Sequence, residues 1–563
     1  MALLTGFIFL NAQAQPYIGS PFGAPIAAVA DSANVADTTQ GNRLVMISHG
    51  YDALLLRVHL IRQAKTSICI QTFIWTNDEC GRLLICELIE AARRGVKVRI
   101  IADHLFSDQN PEIVAFLASV HPNFEVKHYR PATSRLKPSM FRTAMASVFS
   151  FHEVNQRMHS KVMVFDDTIL LTGGRNIENT YYDHSTTLNF RDRDVLAIGP
   201  VVRSAVAEFE QFWKYRYSVP SRELLDVANA LKKGSFKRYD HRTDYDFGPH
   251  FEALGKEADD PSIISKRFVD RLAPVEKAAF IYDAPGKSHK AAATTARITK
   301  ELVATLESAK RSIVMQTPYL VLSGTARDVF AKLRREKPAL QITVSTNSFA
   351  STDNLFAYSA NYRLRNDYVE NLRLRIYEFK PQPECLKTVF PRFGLMAELA
   401  KKQRSSAPLP VFSLHAKSLV VDDRVAFVGS YNLDPRSAEL NTEVGLLIED
   451  PAFARALRSE IQQDMQPENS WVIARRQFPL GLDTVNGLIG GIIALTPLDI
   501  WPIQNTSSFE LLPGAAAVPP EDPAFNKSYR DAGSFPGTEG ILSQKEILTR
   551  LFKAVGSPLT PVL

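Results

Sequence analysis

The strongest constraint on what this chain can fold into is that its middle is written twice. The run SICIQT at 67–72 returns as SIVMQT at 312–317, and both have the β-branched, apolar character of a buried strand. After the first comes LLICELIEAARRG (83–95), apolar at helical spacing and stopped by Arg-Arg-Gly, then a strand VKVRIIAD (96–103). The later copy has a helix near TARDVFAKLRRE (325–336) and the strand LQITVSTN (340–347). FEVKHYRP (124–131) then matches LRIYEFKP (374–381). Alternating strands and helices predict a mainly parallel sheet with helices on both faces in each copy.

A repeat of this size divides the 563 residues. Two similar α/β lobes are expected at 43–218 and 295–475. The charged stretch 219–294, with only short apolar pieces, reads as a long connection with some helix. Ahead of the lobes, 1–42 combines an apolar run at 2–10, an Ala-Gln-Ala at 12–14 and an Ala, Gly, Pro and Ser-rich tether; the first part resembles a signal peptide. Behind them, 476–563 is an extension whose 503–540 part is loop-like and whose 543–556 part reads as a capped amphipathic helix. The apolar stretch 487–502 is too short and too rich in Gly and Pro to span a bilayer, and no run of about 18 apolar residues occurs anywhere. The four cysteines sit mostly in apolar or helical runs and read as small buried hydrophobes, with neither disulfide nor zinc spacing.

Chemistry enters near the end of each copy. MHSKVMVFDDTILLTGGRN (158–176) carries His159, Lys161, Asp166, Gly173, Gly174 and Asn176. LHAKSLVVDDRVAFVGSYN (414–432) carries His415, Lys417, Asp422, Gly429, Ser430 and Asn432 at the same spacings. A single His-x-Lys would mean little. The whole pattern twice, at matching places in a repeat and in a chain of 12 histidines, is specific.

The spacing has a physical sense. In a strand, residues i and i+2 face the same way, so His and Lys can meet one phosphate together. Asp-Asp then falls at a strand end, small residues admit close backbone approach, and Asn offers an amide donor. Two such sets facing each other would hold a phosphodiester between two imidazoles, two ammonium groups and two amides. Aligning DRDVLAIG (192–199) with NTEVGLLI (441–448) places Asp194 opposite Glu443. A carboxylate behind an imidazole fixes its tautomer and raises its basicity. Glu443 is therefore expected to orient His415, and Asp194 to orient His159. Asp166 and Asp422 are expected to shape strand ends more than to move protons.

These residues resemble the phospholipase D superfamily, whose members carry paired HKD motifs. Within it, the chain is most similar to bacterial cardiolipin synthases of the C type. That closer likeness rests on NQRMHSK (155–161), GGRNIENTYY (173–182), NFRDRDVLAIGP (189–200), STNSFASTD (345–353) and SLHAKSLVVDDRVAFVGSYNLDPRSAELNTEVG (413–445). The resemblance covers 43–475 and implies two αβα-sandwich lobes forming one pseudo-twofold unit, with the site at their interface. It also implies a two-step transfer through a phosphohistidine, with no metal and no cofactor. His159 is expected as nucleophile and His415 as general acid and base, an order that pseudo-symmetry leaves exchangeable. Lys161, Lys417, Asn176 and Asn432 would stabilise the equatorial oxygens, with Asp166 and Asp422 carried over as motif members.

Three reactions share such a pocket: making cardiolipin from phosphatidylglycerol and a second phospholipid, hydrolysing phospholipid to phosphatidic acid, and cleaving nucleic acid. A net charge of +6 with no basic-aromatic track argues against the third. The expected partners are phospholipids and a membrane surface, and no nucleic acid. The expected place is the periphery of a bacterial inner membrane, with export if the signal-like segment acts. Phe73, Trp75 and Tyr319 are candidates for an acyl or headgroup entrance, and His152 and His184 for the rim.

Overall fold

A computed structural model describes residues 17, 19–30, 37–104, 107, 110–131, 133–137, 156–287, 296–403, 409–476 and 505–538. The doubled sequence folds as a doubled sheet. In the first lobe the strands run, edge to edge, Ala273–Pro274, Arg43–Ile47, Asp194–Ile198, Ile169–Gly173, Val162–Phe165, Ser67–Thr72, Lys97–Asp103, Phe124–Tyr129 and Ser218–Pro220. In the second they run Lys277–Tyr282, Val444–Glu449, Val425–Gly429, Ser418–Val421, Ser312–Gln316, Gln341–Asn347, Arg375–Phe379 and Ser470–Arg475, followed by Thr506–Leu511 and Tyr529–Gly533.

The sheets are mixed, which corrects the expectation of mainly parallel ones. Within these two sheets, among the described residues, only the strands joined by helices, Ser67–Thr72 to Lys97–Asp103 to Phe124–Tyr129 and their counterparts, pair in parallel. The HKD segment instead makes a hairpin, Val162–Phe165 against Ile169–Gly173, and its neighbours are antiparallel. Hairpin strands need no crossover helix, so the helix-strand alternation seen early in each copy does not extend through it.

Three boundaries also shift. Helices Pro249–Asp259 and Pro261–Arg267 of the connecting stretch bury Phe251, Leu254, Ala258 and Ile264 in the first lobe's outer core, and Lys277–Tyr282 already belongs to the second sheet. The tether contains a helix, Gly23–Ala30, with Phe22, Ile26 and Val29 in that same core. The stretch expected to be loop-like at 503–540 contributes two strands to the second sheet, the inner one pairing with Ser470–Arg475. The helix expected at 543–556, the apolar stretch 487–502, the signal-like residues 2–14 and His152 lie outside the described residues.

Each sheet has an outer apolar layer of its own. A third core lies between the lobes, built from Val201, Ala205, Phe209 and Phe212 of helix Val201–Trp213, Ala454, Leu457 and Ile461 of helix Pro451–Asp464, and inward residues of both sheets such as Leu170, Val195, Val428 and Leu446. Burial of aliphatic surface at about 25 cal/mol per Å² makes such a shared core the main force holding the lobes together. That interface positions the site.

Candidate active site

Each histidine sits where one lobe's chain pairs with the other's. Strand Val411–Leu414, just before His415, runs parallel to Leu188–Arg191 of the first lobe, and the His415 amide donates to the Arg191 carbonyl at 2.8 Å. On the other side Met158 bridges Thr442, and the His159 amide donates to the Thr442 carbonyl at 3.0 Å. Side chains at equivalent strand ends hold the preceding residue: Asp103 accepts from the Met158 amide at 3.0 Å, and Asn347 from the Leu414 amide at 2.7 Å.

The orienting carboxylates come from across the interface. His159 Nδ1 lies 2.8 Å from Glu443 Oε2, and His415 Nδ1 lies 2.7 Å from Asp192 Oδ2. Both expected pairings are thereby corrected. Glu443 serves His159, not His415, and Asp194 serves neither histidine. Asp194 is held by Arg57 at 3.0 Å and Arg175 at 3.4 Å, beneath the site. The sheet register supplies the reason. Gly173 pairs with Asp194 and Gly429 with Gly445, so Asp194 corresponds to Gly445 and Asp192 to Glu443. A slip of two residues keeps every side chain on the same face, so hydropathy alternation cannot detect it.

The two half-sites are furnished differently. Glu443 accepts from the hydroxyls of Ser430 and Ser437, and although burial opposes its charge, His159 and Lys161 hold its carboxyl down at about 2. Asp192 accepts from the Arg193 amide at 2.7 Å, and a Cβ at Gly174 would clash with its carboxylate. Burial opposes ionisation of Asp192 too, and Lys417 and the hydrogen bond from His415 hold it well below the ordinary range. Phe73 packs edge-on against His159 at 4.8 Å between ring centres. Tyr181 and Phe190 flank His415 at 5.0 and 4.9 Å, with the Tyr181 hydroxyl 3.3 Å from its Nε2.

Lys161 Nζ donates to the His159 carbonyl at 2.7 Å and lies 4.9 Å over the Phe73 ring. Lys417 Nζ lies 3.0 Å from Nε2 of His415. Burial, Lys161 and Lys417 lower His159 to about 4 against the pull of Glu443; burial and Lys417 lower His415 to about 3. Burial also brings Lys417 down to about 8 and pushes Lys161 well below its ordinary value. The pocket therefore holds more cationic groups than it can keep charged. An anionic phosphodiester placed among them would raise every one of these values.

The two asparagines do not match. Asn176 is spent on structure: its Nδ2 donates to the Tyr181 hydroxyl at 2.8 Å and its Oδ1 accepts from the Ile74 amide. Asn432 is buried, with its Oδ1 unpartnered among the described residues. Asp166 and Asp422 lie at the far ends of the motif strands. Asp166 accepts from the amides of Lys65, Thr66 and Ser67 at 2.7–2.9 Å, and Asp422 from those of Lys310, Arg311 and Ser312 at 2.7–2.8 Å. Both adopt left-handed backbone, φ 50° and 53°, which Asp tolerates better than most residues. They tie a hairpin turn to the neighbouring strand.

Of the entrance candidates, Phe73 touches His159, Trp75 is spent on the Gly81 carbonyl, and Tyr319 donates to Asp353 at 2.8 Å. Sequence reasoning missed Asp192, Tyr181, Phe190 and Ser437. Asp192 was within reach, because shifting the repeat alignment by two residues finds it. The doubled arginines of NFRDRD also find their use here: Arg191 and Arg193 pair with Asp464, each at 3.3 Å, and Arg193 with Glu460 at 3.0 Å, pinning the first lobe to the second lobe's helix.

Two lobes with HKD hairpins meeting at a crossed pair of histidine-carboxylate dyads define a phospholipase D-like enzyme. The family described as "Cardiolipin synthase, PLD-like domain" matches residues 58–213 and 302–465, and the chain belongs to it. The chain is 30% identical to cardiolipin synthase C of Escherichia coli (strain K12), over 76% of this chain and 85% of that one. It is 28% identical to an uncharacterized protein of Helicobacter pylori (strain ATCC 700392 / 26695), over 83% of this chain and 87% of that one. Its fold is similar to phosphatidylserine synthase of Haemophilus influenzae Rd KW20, with a TM-score of 0.51 at 16% identity, covering 80% and 93% of the two chains. Among the described residues no helix is long and apolar enough to cross a membrane.

Proposed function

We propose that the chain is a phosphatidyltransferase that makes cardiolipin from phosphatidylglycerol and a second phospholipid, working at the surface of a bacterial membrane. The observation that carries the reading is the crossed pair of dyads, His159–Glu443 and His415–Asp192, set among Lys161, Lys417 and Asn432 at one interface.

His159 is the nucleophile. Its Nδ1 is taken by Glu443, leaving Nε2, which makes no hydrogen bond among the described residues, to attack the donor's phosphorus. The phosphorus–oxygen bond to the donor's headgroup breaks, and His415 Nε2 gives its proton to the departing alcohol. That leaves a phosphatidyl group on His159. The bare His415 imidazole then takes the proton from a hydroxyl of phosphatidylglycerol, whose oxygen attacks phosphorus, breaks the phosphorus–nitrogen bond and forms cardiolipin. Lys161, Lys417 and Asn432 face the equatorial oxygens as charge grows on them. The bound diester's own negative charge offsets the lysines and lets His415 carry the proton it must donate.

The test is product analysis by mass spectrometry on vesicles of phosphatidylglycerol and phosphatidylethanolamine. Cardiolipin is expected with the wild-type chain and not with His159→Ala or His415→Ala. Phosphatidic acid without cardiolipin would replace the transferase by a hydrolase, and no lipid turnover beside cleavage of DNA would replace it by a nuclease.

A further inference from the structure

Away from the dyads, three segments bring Glu79, His184 and His250 together. Glu79 opens helix Glu79–Arg93, His184 follows the short turn Asn179–Tyr181, and His250 lies in the first turn of helix Pro249–Asp259. Glu79 Oε2 is 2.7 Å from His184 Nε2, which is 3.2 Å from His250 Nε2, and all three atoms lie within 4.8 Å of one another.

The two facing Nε2 atoms are the informative detail. One nitrogen of His184 is approached by a carboxylate oxygen and by a second imidazole nitrogen, more than a single proton serves well. A metal ion serves all three. Tetrahedral ligands at about 2.0–2.1 Å from zinc are separated by roughly 3.3 Å, close to the spacing found between the imidazoles. Two imidazoles and one carboxylate are a donor set for zinc and its first-row neighbours, not for calcium or magnesium. Phe251 packs on both rings, 4.8 Å from His184 and 4.4 Å from His250, and fixes their directions. His184 is buried, while the Glu79 side chain is 40% exposed, which leaves an approach for the ion and room for a water as fourth ligand.

We propose that Glu79, His184 and His250 bind a zinc-class divalent ion that takes no part in phosphoryl transfer. The ion fastens the segment joining the lobes to the loop carrying Tyr181. Tyr181 lies three residues before His184 and reaches Nε2 of His415, so the fastening bears on the position of the acid-base group.

Cobalt and zinc titrations of the full chain, stripped with chelator, test this. Stripped wild type is expected to take up about one equivalent of Co²⁺ with the intense visible bands of a four-coordinate ion, and Zn²⁺ is expected to displace it and raise the melting temperature. His250→Gln and Glu79→Gln, both at partly exposed positions, are expected to lose the bands and the melting shift while remaining folded by circular dichroism. His159→Ala is expected to keep both. Bands and shift unchanged in the two ligand variants, absent from wild type, or lost in His159→Ala would each overturn the assignment.

Discussion

The two half-sites share a backbone and differ in how their carboxylates are held. In the half around His159 a longer acid, Glu443, is steadied by two hydroxyls, from Ser430 and Ser437. In the half around His415 a shorter acid, Asp192, is steadied by a backbone amide and needs a glycine, Gly174, beneath it. An acid one methylene shorter must bring its backbone closer, and the neighbour must give up its Cβ to allow it. The second difference lies around the rings, where the Tyr181 hydroxyl reaches Nε2 of His415 and Lys417 lies close to both of its nitrogens, while His159 packs edge-on with Phe73. A repeated fold thus supplies two histidines in equivalent places, and a handful of side chains gives them unequal surroundings.

The largest expected effect breaks the symmetry directly. His159→Ala and His415→Ala should each lower transfer by about a thousandfold or more. With a donor carrying a leaving group that needs no proton, only His415→Ala should still form an adduct, on His159, visible by intact-protein mass spectrometry. An adduct on His415 in the His159→Ala chain would reverse the roles.

Removing the orienting charge should come next. Glu443→Gln and Asp192→Asn keep shape but remove the anion behind each imidazole, and kcat should fall by about a hundredfold or more in each. Asp194→Asn, by contrast, should act on melting temperature through Arg57 and Arg175 and spare the pH profile of kcat. A pH profile shifted by Asp194→Asn and untouched by Asp192→Asn would sink the crossed pairing.

The exchange of Gly174 and Ser430 sharpens the comparison further. Gly174→Ala forces a methyl into the Asp192 carboxylate and should cost about tenfold or more in kcat, because small misplacements of a reacting group are expensive. Ser430→Gly removes one of two hydroxyls on Glu443 but leaves Ser437 on its other oxygen and His159 in place, so it should cost only about a fewfold. Equal losses at the two positions would deny the asymmetry.

The smallest effect concerns the helices between the lobes. Gln71 donates to Glu208 and Gln316 to Asp464, but only Asp464 has arginines. Burial without a cation raises Glu208 to about 8. The folded state therefore holds a proton that the unfolded chain releases near 4.5, so stability is full below that pH and is lost as pH rises towards 8. Glu208→Gln should flatten this slope in urea melts taken between pH 5 and 9, with little change at the acid end. Asp464→Asn should instead destabilise at every pH, by leaving Arg191 and Arg193 buried and short of a partner.

Much of this was legible in order along the chain. The repeat, the strand character of 67–72 and 312–317, and the two HKD patterns are local features, and local features survive reading in one dimension. Asp166 and Asp422 each collect backbone amides at a strand end. Partners across the fold are not legible in this way. The sheet was expected mainly parallel because helices announce themselves by period, whereas the antiparallel hairpins of the motif reveal their direction only when paired. The extension's strands at 506–511 and 529–533 look like loop in sequence because their few apolar residues cover one edge of a sheet that the second lobe has already built.

The sequence by itself determined which chemical groups would be present: two imidazoles, two ammonium groups and acids at fixed intervals, carried on duplicated segments that lead into strands Val162–Phe165 and Ser418–Val421. It did so because spacing within one segment depends only on counting residues along the chain. Which acid stands behind which imidazole was decided by the tertiary structure alone. His159 and Glu443 are separated by 284 positions and His415 and Asp192 by 223. Those contacts exist because a core shared by Val201–Trp213 and Pro451–Asp464 brings the two lobes face to face, with each histidine strand paired to the opposite lobe.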